Sequence, residues 1–243
     1  MSHIHLPDGV LPAWLWILGF AGLAAAWWIL FRRVPLERWT RRLPLVGMMA
    51  AAMVLGASAE IVPIAYHVNL TVVSGILLGP SMVFLATLVV NVILALFGHG
   101  GVTVIGLNTL ILGAEGIAGY YLFRGLMRVF RKLTPAVFLA TFLALMLSTF
   151  SMIGVVWLGT SHYEQLMHHE EGGGLFEFGL GKEKGDHGQK EGHAGEVNLA
   201  RFVAIILPLG FIGWVVEGVI TTLIVRYLYR LRPDLLDLGA RPT

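Results

Sequence analysis

The sequence predicts an all-α membrane protein: a polytopic bundle of about seven transmembrane helices, the third one short. Three observations carry this. The composition is 56% hydrophobic and 13% charged, with a mean hydropathy of +0.76, too apolar for an ordinary soluble domain. Apolar runs of the length needed to cross a hydrocarbon core of about 30 Å recur along the chain. The 17 basic residues sort by membrane side when seven crossings are counted: five follow the first span, four the fifth and four the seventh, against four on the opposite face. The positive-inside rule then sets the N-terminus outside and the C-terminus in the cytoplasm of a multi-pass cell-membrane protein. Residues 1–243 read as a single transmembrane domain.

Residues 1–10 form a polar start in which His3 and His5 stand beside an α-amine and Pro7-Asp8-Gly9 makes a stiff turn. Leu11 to Phe31 is too long for a signal h-region and lacks a basic n-region, so it reads as a retained first span. Its Trp14, Trp16, Trp27 and Trp28 fall towards the two interfaces. After Arg32 to Arg42, a second span runs from Leu43 to Pro63. Ala50, Ala51, Ala52, Gly56, Ala57 and Ala59 give it a surface for close helix approach, and Glu60 lies near its outer end. His67 to Gly79 is a short third helix of roughly 20 Å, broken at Gly79-Pro80. Ser81 to Phe97 returns outward to Gly98-His99-Gly100-Gly101, Val102 to Phe123 goes inward, and Thr134 to Leu158 makes the sixth span. Residues 159–197 are a flexible extracytoplasmic loop with eight acidic residues, three lysines, five histidines and many glycines. Leu199 to Tyr229 closes the bundle.

Several functions are excluded. Cysteine is absent, so any metal must be held by nitrogen or oxygen. A formal charge of +2 gives no reason to expect nucleic acid. His168-His169-Glu170-Glu171 lacks zincin spacing, and no glycine-rich loop ends in Gly-Lys-Ser/Thr, so the chain is not an enzyme and does not itself hydrolyse ATP.

The remaining chemistry is imidazole. An amine, a backbone amide and an imidazole are the donors that Ni(II) or Cu(II) takes in a plane, and similar nitrogens suit Co(II). Residues 1–10 are thus either a metal-binding segment or a solvated terminus with incidental histidines. His67, at the outer end of the third helix and on the same side as His3 and His5, is either a ligand or a helix-end residue. His99, between glycines on that side again, is a ligand or a loop histidine. Glu115 and Glu217 lie within apolar spans, where a charge is costly. They are ligands, ion-path residues, or hydrogen-bonding partners of Asn91 or Asn108. The loop histidines (His162, His168, His169, His187, His193) either collect metal loosely or belong to a linker.

These stretches resemble one family, the CbiM/NikM substrate-binding membrane components of energy-coupling factor (ECF) transporters for cobalt and nickel. His5-Leu6-Pro7-Asp8-Gly9 is similar to its N-terminal motif, and His67 with Gly75-Ile-Leu-Leu-Gly-Pro80 to its second ligand region. Phe97 to Gly101 and Gly106-Leu107-Asn108 are similar to its central connection, and Glu217-Gly218 and Arg232-Pro233-Asp234-Leu235-Leu236 to its C-terminal end. The resemblance implies a nearly planar nitrogen site made by the terminal amine, the amide and imidazole of an adjacent histidine, and His67. Two departures stand out. The family usually begins Met-His, whereas here His3 would take that role. With Met1 removed, Ser2 supplies the amine and His3 is the second residue; with Met1 kept, the spacing is amine-amide-amide-imidazole. His99 also stands where the family often has an acid.

The candidate metal residues are therefore Ser2, His3, His5, His67 and His99. The resemblance implies the substrate-capturing component of an ATP-driven importer whose transported ligand is Co(II) or Ni(II). No bound cofactor is expected. The expected partners are a transmembrane coupling (T) component, ATP-binding cassette ATPases and a small accessory membrane subunit, all in the lipid bilayer. A metal-sensing or assembly protein without transport of its own is the alternative.

Overall fold

A computed structural model describes residues 12–58, 60–61, 66–98, 101–167 and 199–236. Its order is α1 (Ala13–Phe31), α2 (Leu36–Ser58), β1 (Glu60–Ile61), β2 (Tyr66–His67), α3 (Thr71–Leu78), α4 (Pro80–Leu96), α5 (Ile105–Phe130), α6 (Leu133–Met167), α7 (Leu199–Leu231) and a 3-10 turn at Pro233–Leu236. Seven helices are thus present among the described residues, with the third one short. By length and composition, Ala13–Phe31, Leu133–Val155 and Gly210–Leu231 are apolar and long enough to cross a membrane. α4 is apolar but has 17 residues, and α2 and α5 carry charges at their ends.

Several boundaries differ from those expected. α2 starts at Leu36 because Glu37, Arg41 and Arg42 are good helix formers that hydropathy ignores, and it accommodates Pro44. It ends at Ser58, so Glu60 is in a strand and not at a helix end. α5 continues to Phe130, and α6 continues to Met167, into the stretch read as loop. The membrane boundary limits where apolar residues are needed, but nothing there obliges the backbone to stop hydrogen bonding. The remainder of that loop, 168–197, lies outside the described residues.

α3 is the axis of the bundle. Every residue from Thr71 to Leu78 is buried. Val72, Val73, Ile76 and Leu77 share one core with Val46, Met49, Ala50 and Met53 of α2, with Val83 of α4 and with Ala136, Val137 and Ala140 of α6. α5 packs against α1, α3, α4 and α6, and α7 packs chiefly on α6. The outward faces stay apolar, as at Ile17, Leu18 and Ile29 of α1 and Leu223 of α7. That pattern suits lipid, which solvates such side chains as water cannot.

Small residues set the closest approaches. A Cβ on Gly106 of α5 would lie 2.7 Å from the backbone carbon of Gly19 and the nitrogen of Phe20 in α1. A Cβ on Gly75 of α3 would overlap the carbonyl oxygen of Gly116 in α5. The helices therefore meet backbone to backbone, where van der Waals contact drives association in lipid. The turn between α3 and α4 needs glycine for another reason: Gly79 has φ 81°, and Pro80 starts α4 at a position that needs no amide donor. Arg42 of α2 donates from Nη1 to the Leu77 carbonyl at 3.0 Å, capping the C-terminal end of α3.

Aromatic rings fasten two edges. Trp27 and Phe31 stack at 4.3 Å, and Phe31 lies 4.9 Å from Trp39, joining the C-terminal end of α1 to the first turns of α2. Phe142 of α6 meets Trp214 of α7 edge-on at 5.6 Å, and Trp214 Nε1 donates to Thr149 Oγ1 at 3.2 Å. Trp214 thus satisfies its polar handle while filling apolar space.

Candidate metal centre

His67 lies in β2, four residues ahead of the first residue of α3, and not on the helix as expected. A two-residue antiparallel pairing sets it opposite Glu60, with Tyr66 opposite Ile61. So short a strand has no readable sequence period; it exists because α2 and α3 bring its two halves together. His67 is half-buried. The next residue, Val68, passes close over α2, where a Cβ on Gly56 would sit 2.8 Å from the Val68 carbonyl oxygen. The small-residue face of α2 thus receives the segment that carries His67.

Asn69, which sequence reasoning did not single out, ties this segment to the bundle. It is 1% exposed. Its Nδ2 donates to Glu115 Oε1 of α5 at 2.5 Å, and its Oδ1 accepts from the Thr71 amide at 2.8 Å. The second bond satisfies one of the amides left open at the start of α3. Ser148 of α6 also hydrogen-bonds the Glu115 carboxyl, and Glu217 of α7 is near enough to interact with it electrostatically. Both acids are buried, at 2% and 0% exposure. The partner expected for Glu115 was Asn91 or Asn108; Asn91 instead donates to the Thr87 carbonyl of its own helix at 2.9 Å. An asparagine two residues after a histidine and just ahead of a helix was the available signal for Asn69.

The other hydroxyls in the helices largely turn back on their own backbone. Ser74 donates to the Leu70 carbonyl, Thr141 to Val137 and Thr222 to Gly218. A polar path between elements runs from the His67 segment through Asn69 and Glu115 to Ser148, with the Glu217 carboxyl near it.

Of the five candidate metal residues, His67 lies among the described residues; Ser2, His3, His5 and His99 lie outside them. Among the described residues no three histidine, aspartate or glutamate side chains gather as a metal-holding group. One half-buried imidazole can bind a metal in a plane only when further nitrogens come to it.

The sequence matches the family described as CbiM, cobalt uptake substrate-specific transmembrane region, over residues 5–235. It is 32% identical to the cobalt transport protein CbiM of Geobacter sulfurreducens, the match covering 96% of this chain and 61% of that protein. It is 31% identical to the cobalt transport protein CbiM of Sorangium cellulosum, covering 96% and 95% of the two chains. The chain thus spans less than two thirds of the Geobacter relative and nearly all of the Sorangium one. The fold is similar to the crystal structure of a truncated transition metal transporter, with a TM-score of 0.73 and 18% identity over 94% of this chain and 99% of that one.

Proposed function

The chain belongs to the CbiM family, and from that premise we propose that it is the substrate-capturing membrane component of an ATP-driven ECF importer for Co(II) or Ni(II). The observation that carries this reading is the half-buried His67 on a segment pinned to the bundle by Asn69. Family membership and the cobalt transport activity named for its relatives support cobalt as one cargo. The nitrogen donor set suits nickel as well.

The proposed site joins His67 to the nitrogens of the Ser2–His5 segment, with His99 beside them. Imidazole nitrogens, an amine and a backbone amide that gives up its proton to solvent on binding are the donors that Ni(II) takes in a plane, and similar nitrogens suit Co(II). The sequence lacks a phosphate-binding loop ending in Gly-Lys-Ser/Thr, so ATP hydrolysis is assigned to cassette ATPases acting through a transmembrane coupling component, with a small accessory subunit in the same membrane.

Uptake of Co(II) and Ni(II) by cells expressing the chain tests this. Accumulation should require co-expressed coupling and ATPase subunits and should vanish when the ATPase is inactivated. Uptake undiminished by loss of the ATPase would refute the importer reading.

The distribution of basic residues supports an N-terminus outside and a C-terminus in the cytoplasm of the cell membrane. Protease added to intact spheroplasts should cut near Gly185 and spare a tag at Thr243. Protection of the Gly185 region would overturn this orientation.

A further inference from the structure

We propose that Asn69 is the positioning residue of the metal site, holding His67 at a fixed height above the bundle by its hydrogen bond to Glu115. This rests on reading His67 as a ligand.

Both ends of the Asn69 amide are occupied, and their chemistry fixes its orientation. Nδ2 faces the Glu115 carboxyl, which accepts, and Oδ1 faces the Thr71 amide, which donates. A flipped amide would set oxygen against oxygen and donor against donor. With the residue 1% exposed, water is not there to take either role. Asn69 is therefore a rigid point, and His67, two residues away along the chain, is at most about 7 Å from it.

Glu115 is itself buried and held. Ser148 of α6 hydrogen-bonds its carboxyl. Its neighbour Gly116 lies against the Gly75 backbone of α3 and the side chains of Thr71 and Val83, which leave it little room to shift. On its other side the His67 segment is held by the pairing of His67 with Glu60 and by the Val68 carbonyl against Gly56. His67 is thus fixed from α2 and from α5 at once. Outer partners of this kind orient a ligand's ring, and losing one typically weakens metal affinity about 10–100-fold.

The pair can be exchanged in a way that separates positioning from folding. Asn69→Asp keeps the oxygen that accepts from Thr71 but removes the donor to Glu115. Adding Glu115→Gln restores a hydrogen bond of reversed polarity, now donated by residue 115. Full-length protein purified in detergent would be titrated with Ni(II) and with Co(II) by calorimetry, with the ligand-field absorption of bound Co(II) and the thermal midpoint measured alongside. Asn69→Asp should bind each metal about 10–100-fold more weakly and shift the absorption band. The double variant should recover most of the affinity and the original band. Asn69→Ser, whose hydroxyl can still accept from Thr71 but falls short of Glu115, should match Asn69→Asp and decides the matter should that variant not fold.

Wild-type affinity and band in both single variants, with binding lost in His67→Ala, would overturn the positioning role and leave His67 as ligand. Recovery of the thermal midpoint without recovery of affinity in the double variant would likewise overturn it, because Asn69 would then serve folding alone. Undiminished binding in His67→Ala would instead refute the ligand reading itself.

Discussion

Gly75→Ala is expected to lower the thermal midpoint by roughly 10 °C or to leave no folded protein, at a cost of about 3 kcal/mol or more. The added Cβ would overlap the Gly116 carbonyl oxygen and stand 2.9 Å from the Gly116 carbonyl carbon. A flexible side chain could swing away, but two helix backbones cannot. α3 is buried on every side, so it has no free direction in which to retreat. The rest of the seam is close but meets side chains: a Cβ on Gly116 would lie 2.6 Å from Val83 Cγ2, and one on Gly119 2.8 Å from Val72 Cγ1. Gly47→Ala is the matched control, since that glycine has nothing within 4 Å of its Cβ direction. Its midpoint should stay the same or rise slightly, because alanine favours the helix. Thermal unfolding followed by tryptophan fluorescence in detergent would compare the two, and equal midpoints would show that α3 can shift.

The second large effect is on metal. His67→Ala should weaken Ni(II) and Co(II) binding by about 100-fold or more, beyond what losing an outer partner costs. It removes a proposed donor outright. Stability should change little, because His67 is half-buried and sits in a strand of two residues. His162→Ala should leave affinity as it is. Calorimetric titration of the three proteins would decide, and equal affinity in His67→Ala would remove this residue from the site.

The helices were legible in the sequence because lipid imposes a single demand, twenty or so apolar residues with all backbone groups bonded internally. The same demand explains where the reading stopped. The first turns of α2 and the last turns of α5 lie among arginines, where hydropathy carries no signal and only helix propensity does. His67 was legible as a candidate by its chemistry and its place in the topology, but its strand was not, since two residues hold no period. The anchor beneath it was hidden for a different reason. Asn69 and Glu115 are 46 positions apart, and pairing them requires knowing that Gly75 meets Gly116. Glycines at those places announce close packing without naming the partner. Glu115 stood out as an acid in an apolar span, which correctly implied a polar partner, and only the three-dimensional contact assigns that partner to Asn69.

α3 also has a consequence for how the protein is made. Eight residues cover roughly 12 Å, well short of the hydrocarbon core, so this helix cannot partition into lipid by itself as a nascent span. Its Thr71 and Ser74, together with the Asn69 that precedes it, would meet hydrocarbon if it entered alone. The surface that receives it belongs to α5, which is synthesised about 25 residues after α3 ends. Biogenesis must therefore hold the hairpin of α3 and α4 in a sheltered, unfinished state until α5 emerges, and the docking of α3 is a late assembly event within the bilayer. The helix that follows the candidate ligand thus reaches its packed position only after α5 has emerged.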